Sequence, residues 1–291
     1  MASVETAPPA SGSTPSREAP SYARTIRPPR GVELGVRDLV EERELLGFFT
    51  WRNVSVRYKQ SLAGPGWAIL QPLLSMIIFT IVFGNLAELP SDGIPYPVFY
   101  LTAFVLWFYF ATTVTLGSNS IVENQALVSK VYFPRIFLPM AAALAGVIDL
   151  AVATVVAVPI VLAYGADLDF RSLLLVGPVL VAVLAGAGIS LFLGALYARY
   201  RDVRFVVPFV VQAGLFVSPV AFSSSVIPDH LQTLYGLNPM AGAIEGFRWC
   251  VTGGGAATLS MFLVSAASAS IMFILGVLYF QRADTSIADV V

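Results

Sequence analysis

The chain has 291 residues, 57% of them apolar and 12% charged, with a mean hydropathy of +0.77 and a formal net charge of −1. A soluble domain carries roughly a quarter charged residues, so this composition excludes a soluble globular protein and points to one that lives in a membrane. One cysteine, Cys250, excludes an internal disulfide and a cysteine-based metal cluster, and one histidine, His230, leaves little for a His-ligated metal.

Residues 1–30 are rich in Pro, Ser, Ala and Thr and almost free of large apolar side chains, which predicts a disordered cytoplasmic tail. No cleavable signal peptide is expected, because the first apolar run begins only near Trp67. Residues 31–46 mix Arg37, Asp38, Glu41, Glu42, Arg43 and Glu44 with scattered Val and Leu, as in a short solvated helix. From Gly47 to Gln60 the pattern changes. On a helix, Phe48, Trp51, Val54, Tyr58 and Leu62 share one arc, with Asn53, Arg57 and Gln60 opposite and Arg52 and Lys59 on the flank. Aromatics on one face and basic residues on the other suit a helix lying in the headgroup layer. The alternation of Val54, Val56 and Tyr58 also permits a strand. Gly64-Pro65-Gly66 then turns the chain into the bilayer.

Six runs are long enough to cross roughly 30 Å of hydrocarbon at about 1.5 Å per residue. They are Trp67–Phe83, Val98–Leu116, Ile136–Tyr164, Leu173–Tyr197, Phe205–Phe222 and Leu259–Phe280. The third holds Pro139, Asp149 and Pro159 and should tilt or kink. Of the 17 Lys and Arg residues, all but Arg171 and Arg248 fall on one side of these spans, which places both termini in the cytoplasm. The expected fold is therefore an all-α integral membrane protein with six transmembrane helices, divided as residues 1–30 tail, 31–66 cytoplasmic and interfacial helices, 67–280 transmembrane domain and 281–291 cytoplasmic C-terminal tail.

Between the second and third runs, Glu123–Arg135 (ENQALVSKVYFPR) is too polar for a span and too apolar for a loop tip. Ser118, Asn119 or Ser120 could cap a short helix here, and Pro134 would stop it near Phe133. It reads as a short helix at the cytoplasmic surface with an apolar side available to a partner, or as a connecting loop with a few buried residues. The last external segment, 223–255, contains two apolar stretches too short to span, Leu231–Leu237 and Ala241–Val251, parted by Asn238-Pro239. They read as a re-entrant helix pair dipping into the outer leaflet, or as an outer cap. Glu245 and Arg248, at i and i+3, could neutralise each other there.

No phosphate loop and no H-E-x-x-H or G-x-S-x-G motif occurs. Charge inside the spans is nearly confined to Asp149, which reads as a helix-packing hydrogen bond more readily than as a proton site. Pumping would therefore need energy supplied by another chain. Aromatics recur at helical spacing as Phe79 and Phe83 with Met76, as Tyr100, Phe104, Trp107 and Phe108, and as Phe205, Phe209 and Phe216 with Gln212. They line a path for a polar glycan or serve as lipid-facing and packing rings. Arg52, Arg57 and Lys59 sit at the headgroup level, for a pyrophosphate or for anionic lipids.

At Leu45–Pro72 (LLGFFTWRNVSVRYKQSLAGPGWAILQP) and Asn124–Pro139 (NQALVSKVYFPRIFLP) the chain resembles ABC-2-type permeases that export polysaccharides, the Wzm and TagG/TarG group. Tyr200-Arg201-Asp202, the NPM at Asn238–Met240 and the closing FQRADTSIADVV also fit that group, and the resemblance covers Leu45 to Val291. It implies six spans, a homodimer, and two copies of a separate cytoplasmic ATPase that binds the ATP and Mg, with no cofactor in this chain. Carried onto these residues, Phe48–Gln60 becomes an interfacial gate helix. Glu123, Asn124, Gln125, Leu127, Val128, Lys130, Tyr132, Phe133 and Arg135 become the coupling segment, with Arg201 and Asp202 as a smaller contact. Asn238, Pro239, Glu245 and Arg248 become part of an outer gate. The expected function is export of a lipid-linked cell-envelope polysaccharide, such as galactan, O-antigen or teichoic acid, across the plasma membrane, with membrane lipids but no nucleic acid among its partners. A small-molecule exporter of the same superfamily, an integral-membrane glycan or lipid enzyme, and a non-catalytic scaffold are the alternatives.

Overall fold

The structure, a computed structural model, describes residues 43–59, 66–131, 133–166 and 169–290, with side chains as far as Asp284. The expectations for residues 1–42, for Gln60, Leu62 and the Gly64-Pro65 turn, and for Tyr132 lie outside the described residues. Among the described residues every regular element is helical. They are α1 (Arg43–Lys59), α2 (Gly66–Phe79), α3 (Tyr96–Glu123), α4 (Gln125–Val128), α5 (Phe137–Ala163), α6 (Val176–Arg199), α7 (Val203–Val217), α8 (Asp229–Tyr235), α9 (Pro239–Thr252) and α10 (Leu259–Val290). α2 runs on into π-helical turns over Thr80–Leu86, and a 3₁₀ turn over Phe170–Leu175 leads into α6.

Five of the predicted runs are helices long and apolar enough to cross a membrane: Gly66–Leu86, Tyr96–Glu123, Phe137–Ala163, Phe170–Arg199 and Leu259–Asp284. The remaining one is shorter than expected. α7 has 15 residues and ends at Val217, not Phe222. Pro219 is the cause, since the residue before a proline is pushed out of the helical region, and Ser218 is extended at φ −95°, ψ 157°. The second run is longer than expected. Ser118 and Ser120 do not cap a new helix but lie buried inside α3, their hydroxyls donating to the carbonyls of Thr115 (3.0 Å) and Gly117 (2.7 Å). That back-bonding satisfies a serine inside a helix, so α3 continues to Glu123. Pro139 falls in the first turn of α5, where a missing N–H costs little, whereas Pro159 is inside the helix. At the other end of the sequence, α10 carries on past Phe280 to Val290.

α3 is the central helix, touching α2, α5, α6, α7 and α9. Its Phe99, Tyr100, Phe104, Leu106 and Trp107 anchor the larger core with residues of α5, α6 and α9. A smaller core, with Phe49, Ile121, Val128, Phe133, Phe137, Leu191 and Phe280, lies at the end of the bundle that holds α1, α4 and the α6–α7 turn; we call this the basic end. α6 and α10 pack closely enough that a Cβ on Gly276 would lie 2.3 Å from the Gly188 carbonyl oxygen. Small residues let helix backbones approach in this way.

Candidate functional site

At the basic end, α1 is a continuous helix, which removes the strand alternative. Its orientation differs from the expected arc. Phe49 and Val54 are buried, while Phe48 and Trp51 stay 62% and 69% exposed. Arg52 donates to Asn124 Oδ1, and Arg57 donates to Asp149 Oδ2 and pairs with it. The Tyr58 hydroxyl donates to the other oxygen of the same carboxylate. The physical reason is the bundle's surface, which offers Asn124 and Asp149 as polar partners. A carboxylate within an apolar helix needs a counter-charge, and Arg57 supplies it, leaving Phe48 and Trp51 facing outward as interfacial aromatics do. Of the three cations expected at the headgroup level, Lys59 alone is exposed, Arg52 and Arg57 being half-buried.

Arg57 borders two cavities. One, of about 380 Å³, lies between α1, α3 and α5 and is lined by Arg52, Asn53, Arg57, Ser120, Glu123 and Asn124. The other, of about 140 Å³, reaches inward past Tyr58, Trp67, Gln71, Tyr109 and Asp149.

The Glu123–Arg135 stretch is a four-residue helical turn, α4, followed by tight turns. Part of its apolar side is taken up by the chain's own core, as in a connecting loop with a few buried residues, while Val131 stays exposed. Val128 and Phe133 are buried, and the Phe133 ring lies 5.2 Å from that of Phe49. Leu127 packs partly against the same core. Arg135 donates to the carbonyl of Asp284 at 2.9 Å and to its carboxylate at 3.0 Å, so the segment is tied to α10. Asn124 caps the end of α3. Glu123, Gln125, Lys130 and Val131 face outward, and Arg201 and Asp202 are exposed on the α6–α7 turn of the same end.

The aromatic runs divide. Phe79 of α2 packs edge-on against Phe104 at 4.7 Å and Tyr100 at 5.8 Å, with Phe83 beside it at 4.9 Å and Phe108 stacked on Phe104 at 5.7 Å. Tyr100, Phe104 and Trp107 are buried rather than lining an open path, because α3 is enclosed by its neighbours. Phe205, Phe209 and Phe216 of α7 are the rings left on an open face.

At the opposite end, the two short apolar stretches are α8 and α9, and α9 is buried along nearly its whole length. Asn238 caps α9, its side chain accepting from Met240 N at 3.1 Å with Pro239 following at the first helical position. Gly253, at φ +71°, ends it in the left-handed conformation that favours glycine. Glu245 and Arg248 do neutralise each other, 2.9 Å apart and fully buried. Arg248 Nη2 also donates to the carbonyls of Pro219 (3.1 Å) and Phe99 (3.3 Å), and Ser224 N donates to Glu245 Oε1 at 3.0 Å. Asp92 accepts from the hydroxyls of Ser223 and Ser225. Burial and the neighbouring Glu245 carboxylate push the Tyr235 phenol above its ordinary value. It stays protonated and donates to the Val217 carbonyl at 2.7 Å. The strand-free segment after α7 is thus clamped between α3 and α9. Sequence reading missed Asp92, Ser223, Ser224 and Tyr58 as partners, and only contact across the fold identifies them.

The sequence profile described as "ABC-2 type transporter" matches residues 44–252, from α1 through α9. The chain is 26% identical over 216 residues to the O-antigen export system permease protein RfbA of Myxococcus xanthus, covering 73% of this chain and 82% of that one. It is 27% identical over 210 residues to a protein of the same name from Klebsiella pneumoniae, covering 70% and 79%. It is 24% identical over 204 residues to the polysialic acid transport protein KpsM of Escherichia coli, again covering 70% and 79%.

Proposed function

The chain belongs to the ABC-2 type transporter family, and from that premise we propose that it is the membrane permease of an ATP-driven exporter of a lipid-linked cell-envelope polysaccharide. The relatives' names support a polysaccharide cargo, two being O-antigen permeases and one a polysialic acid transport protein. The absence of a phosphate loop from the sequence supports a separate ATPase subunit as the source of energy. The observation that carries the reading is the construction of the basic end. Exposed Glu123 and Lys130 sit on a segment braced from behind by Phe133 against α1 and by Arg135 against α10. A push delivered there reaches α1 through Phe133 and Phe49, and α10 through Arg135 and Asp284. In this reading the chain works as a homodimer in the plasma membrane with its termini in the cytoplasm. Two ATPase copies seat on Glu123, Asn124, Gln125, Lys130, Arg201 and Asp202, and the open aromatic face of α7 turns towards the cargo path.

Deletion of the reading frame tests this. Glycan-lipid accumulating on the cytoplasmic side, restored to export by the wild-type chain, is the expected result. Unchanged glycan distribution would remove the polysaccharide as cargo.

A further inference from the structure

We infer that Arg57 and Asp149 form a latch holding α1 against α5, and that a lipid-borne diphosphate opens it by taking Arg57 away from Asp149. The inference rests on the proposal that the cargo is a lipid-linked glycan.

Three observations carry it. First, both oxygens of Asp149 are taken by consecutive residues of α1, Arg57 and Tyr58, so the last turn of α1 is fixed to α5 through this carboxylate. Second, the other polar tie of α1, Arg52 to Asn124, sits five residues earlier on the helix, about 140° round from Arg57 at 3.6 residues per turn. Third, the cavity of about 380 Å³ lies between these two ties and is bordered by both guanidinium groups. It is therefore a cavity of mixed polar and apolar lining bordered by two planar, permanently charged side chains. A diphosphate presents several oxygens on adjacent phosphorus atoms, which matches paired guanidinium forks better than a single carboxylate does. Glu123 also lines the cavity and opposes any anion there, so holding one requires both guanidinium groups. Engagement of Arg57 leaves Asp149 with Tyr58 alone, and the last turn of α1 is then held by one hydrogen bond in place of an ion pair and a hydrogen bond. Asp149 is thus a positioning residue. It keeps Arg57 in place while the site is empty and competes with the anion for it.

The test uses the full chain in phosphatidylethanolamine and phosphatidylglycerol vesicles. Spin labels are attached at Trp51→Cys on α1 and Ile148→Cys on α5, both outward-facing, in a Cys250→Ala background. The labels report the separation of α1 from α5. Addition of farnesyl diphosphate is expected to shift the distance distribution to longer values, and at lower concentration than inorganic pyrophosphate does. Asp149→Asn is expected to show the long distance with nothing added. The exchanged pair Arg57→Asp with Asp149→Arg keeps a latch without an anion-binding arginine on α1. It is expected to show the short distance and no response. An unmoved distribution with farnesyl diphosphate, an equal response in Arg57→Gln, or a short distance in Asp149→Asn overturns the latch. An equal response to inorganic pyrophosphate, or to a higher phosphatidylglycerol content alone, overturns the lipid-borne diphosphate as its key. The deletion assay for export reads the cargo separately, so the latch and the cargo can fail independently.

Discussion

Arg248 stands over Phe99, its guanidinium carbon 3.6 Å from the ring centroid, while the same side chain pairs with Glu245. The two ends of this contact belong to α9 and α3, so the buried charge joins the short helix pair to the central span. Removing one member of a buried pair leaves an uncompensated charge. Glu245→Ala or Arg248→Ala should each destabilise the fold by about 3–5 kcal/mol. Glu245→Leu combined with Arg248→Met should lose less than either single change. Unfolding in mixed micelles followed by circular dichroism orders the three variants.

Exposed and buried members of the proposed coupling segment, Glu123–Arg135, should separate cleanly. Phe133 is 8% exposed, and Phe133→Ala should cost about 3–5 kcal/mol of stability through the cavity it leaves. Glu123→Lys and Lys130→Glu, on the open surface, should change stability by no more than about 0.5 kcal/mol and yet lower the ATPase activity of the complex with its partner. Stability and ATPase measurements on the same preparations check this, and an unaffected ATPase in both charge reversals would move the contact elsewhere.

The α6–α10 crossing has no room for a side chain. Gly276→Ala places a methyl group on the Gly188 backbone, where no flexible neighbour can yield, and should cost at least about 1–3 kcal/mol. Gly47→Ala in α1 meets nothing within 4 Å and should instead stabilise by about 0.5–1 kcal/mol. Paired thermal melts give the opposite signs directly.

Asn238 does two jobs, accepting from Met240 N at 3.1 Å and donating to Ser218 Oγ at 3.0 Å. Asn238→Ala should cost about 0.5–2 kcal/mol. Asn238→Asp should recover the cap but not the bond to Ser218 as it stands, and a thermal melt between those of wild type and Asn238→Ala is expected.

Periodicity and spacing made some of this legible and not the rest. The long apolar runs announced the spans, and the i, i+3 spacing of Glu245 and Arg248 announced their pairing, because both signals are local. The partner of Asp149 was not readable, since Arg57 lies 92 positions away in the chain. The inward face of α1 was unreadable for the same reason: Asn124, Phe133 and Asp149, all distant in the chain, decide which side of the helix turns inward. Ser118 and Ser120 looked like caps because the sequence does not say whether a serine bonds forward to an amide or back to a carbonyl. Tyr100, Phe104 and Trp107 looked like a stripe, and enclosure by α2, α6, α7 and α9 turned them into a core.

Reconstitution puts the central claim to its most direct test. Vesicles holding this chain, the ATPase subunit proposed as its partner and a polyprenyl-diphosphate-linked glycan are given ATP, and glycan reaching the far leaflet is counted with a lectin. The account predicts transport only when both proteins and ATP are present. Transport by this chain alone, or without ATP, would contradict it.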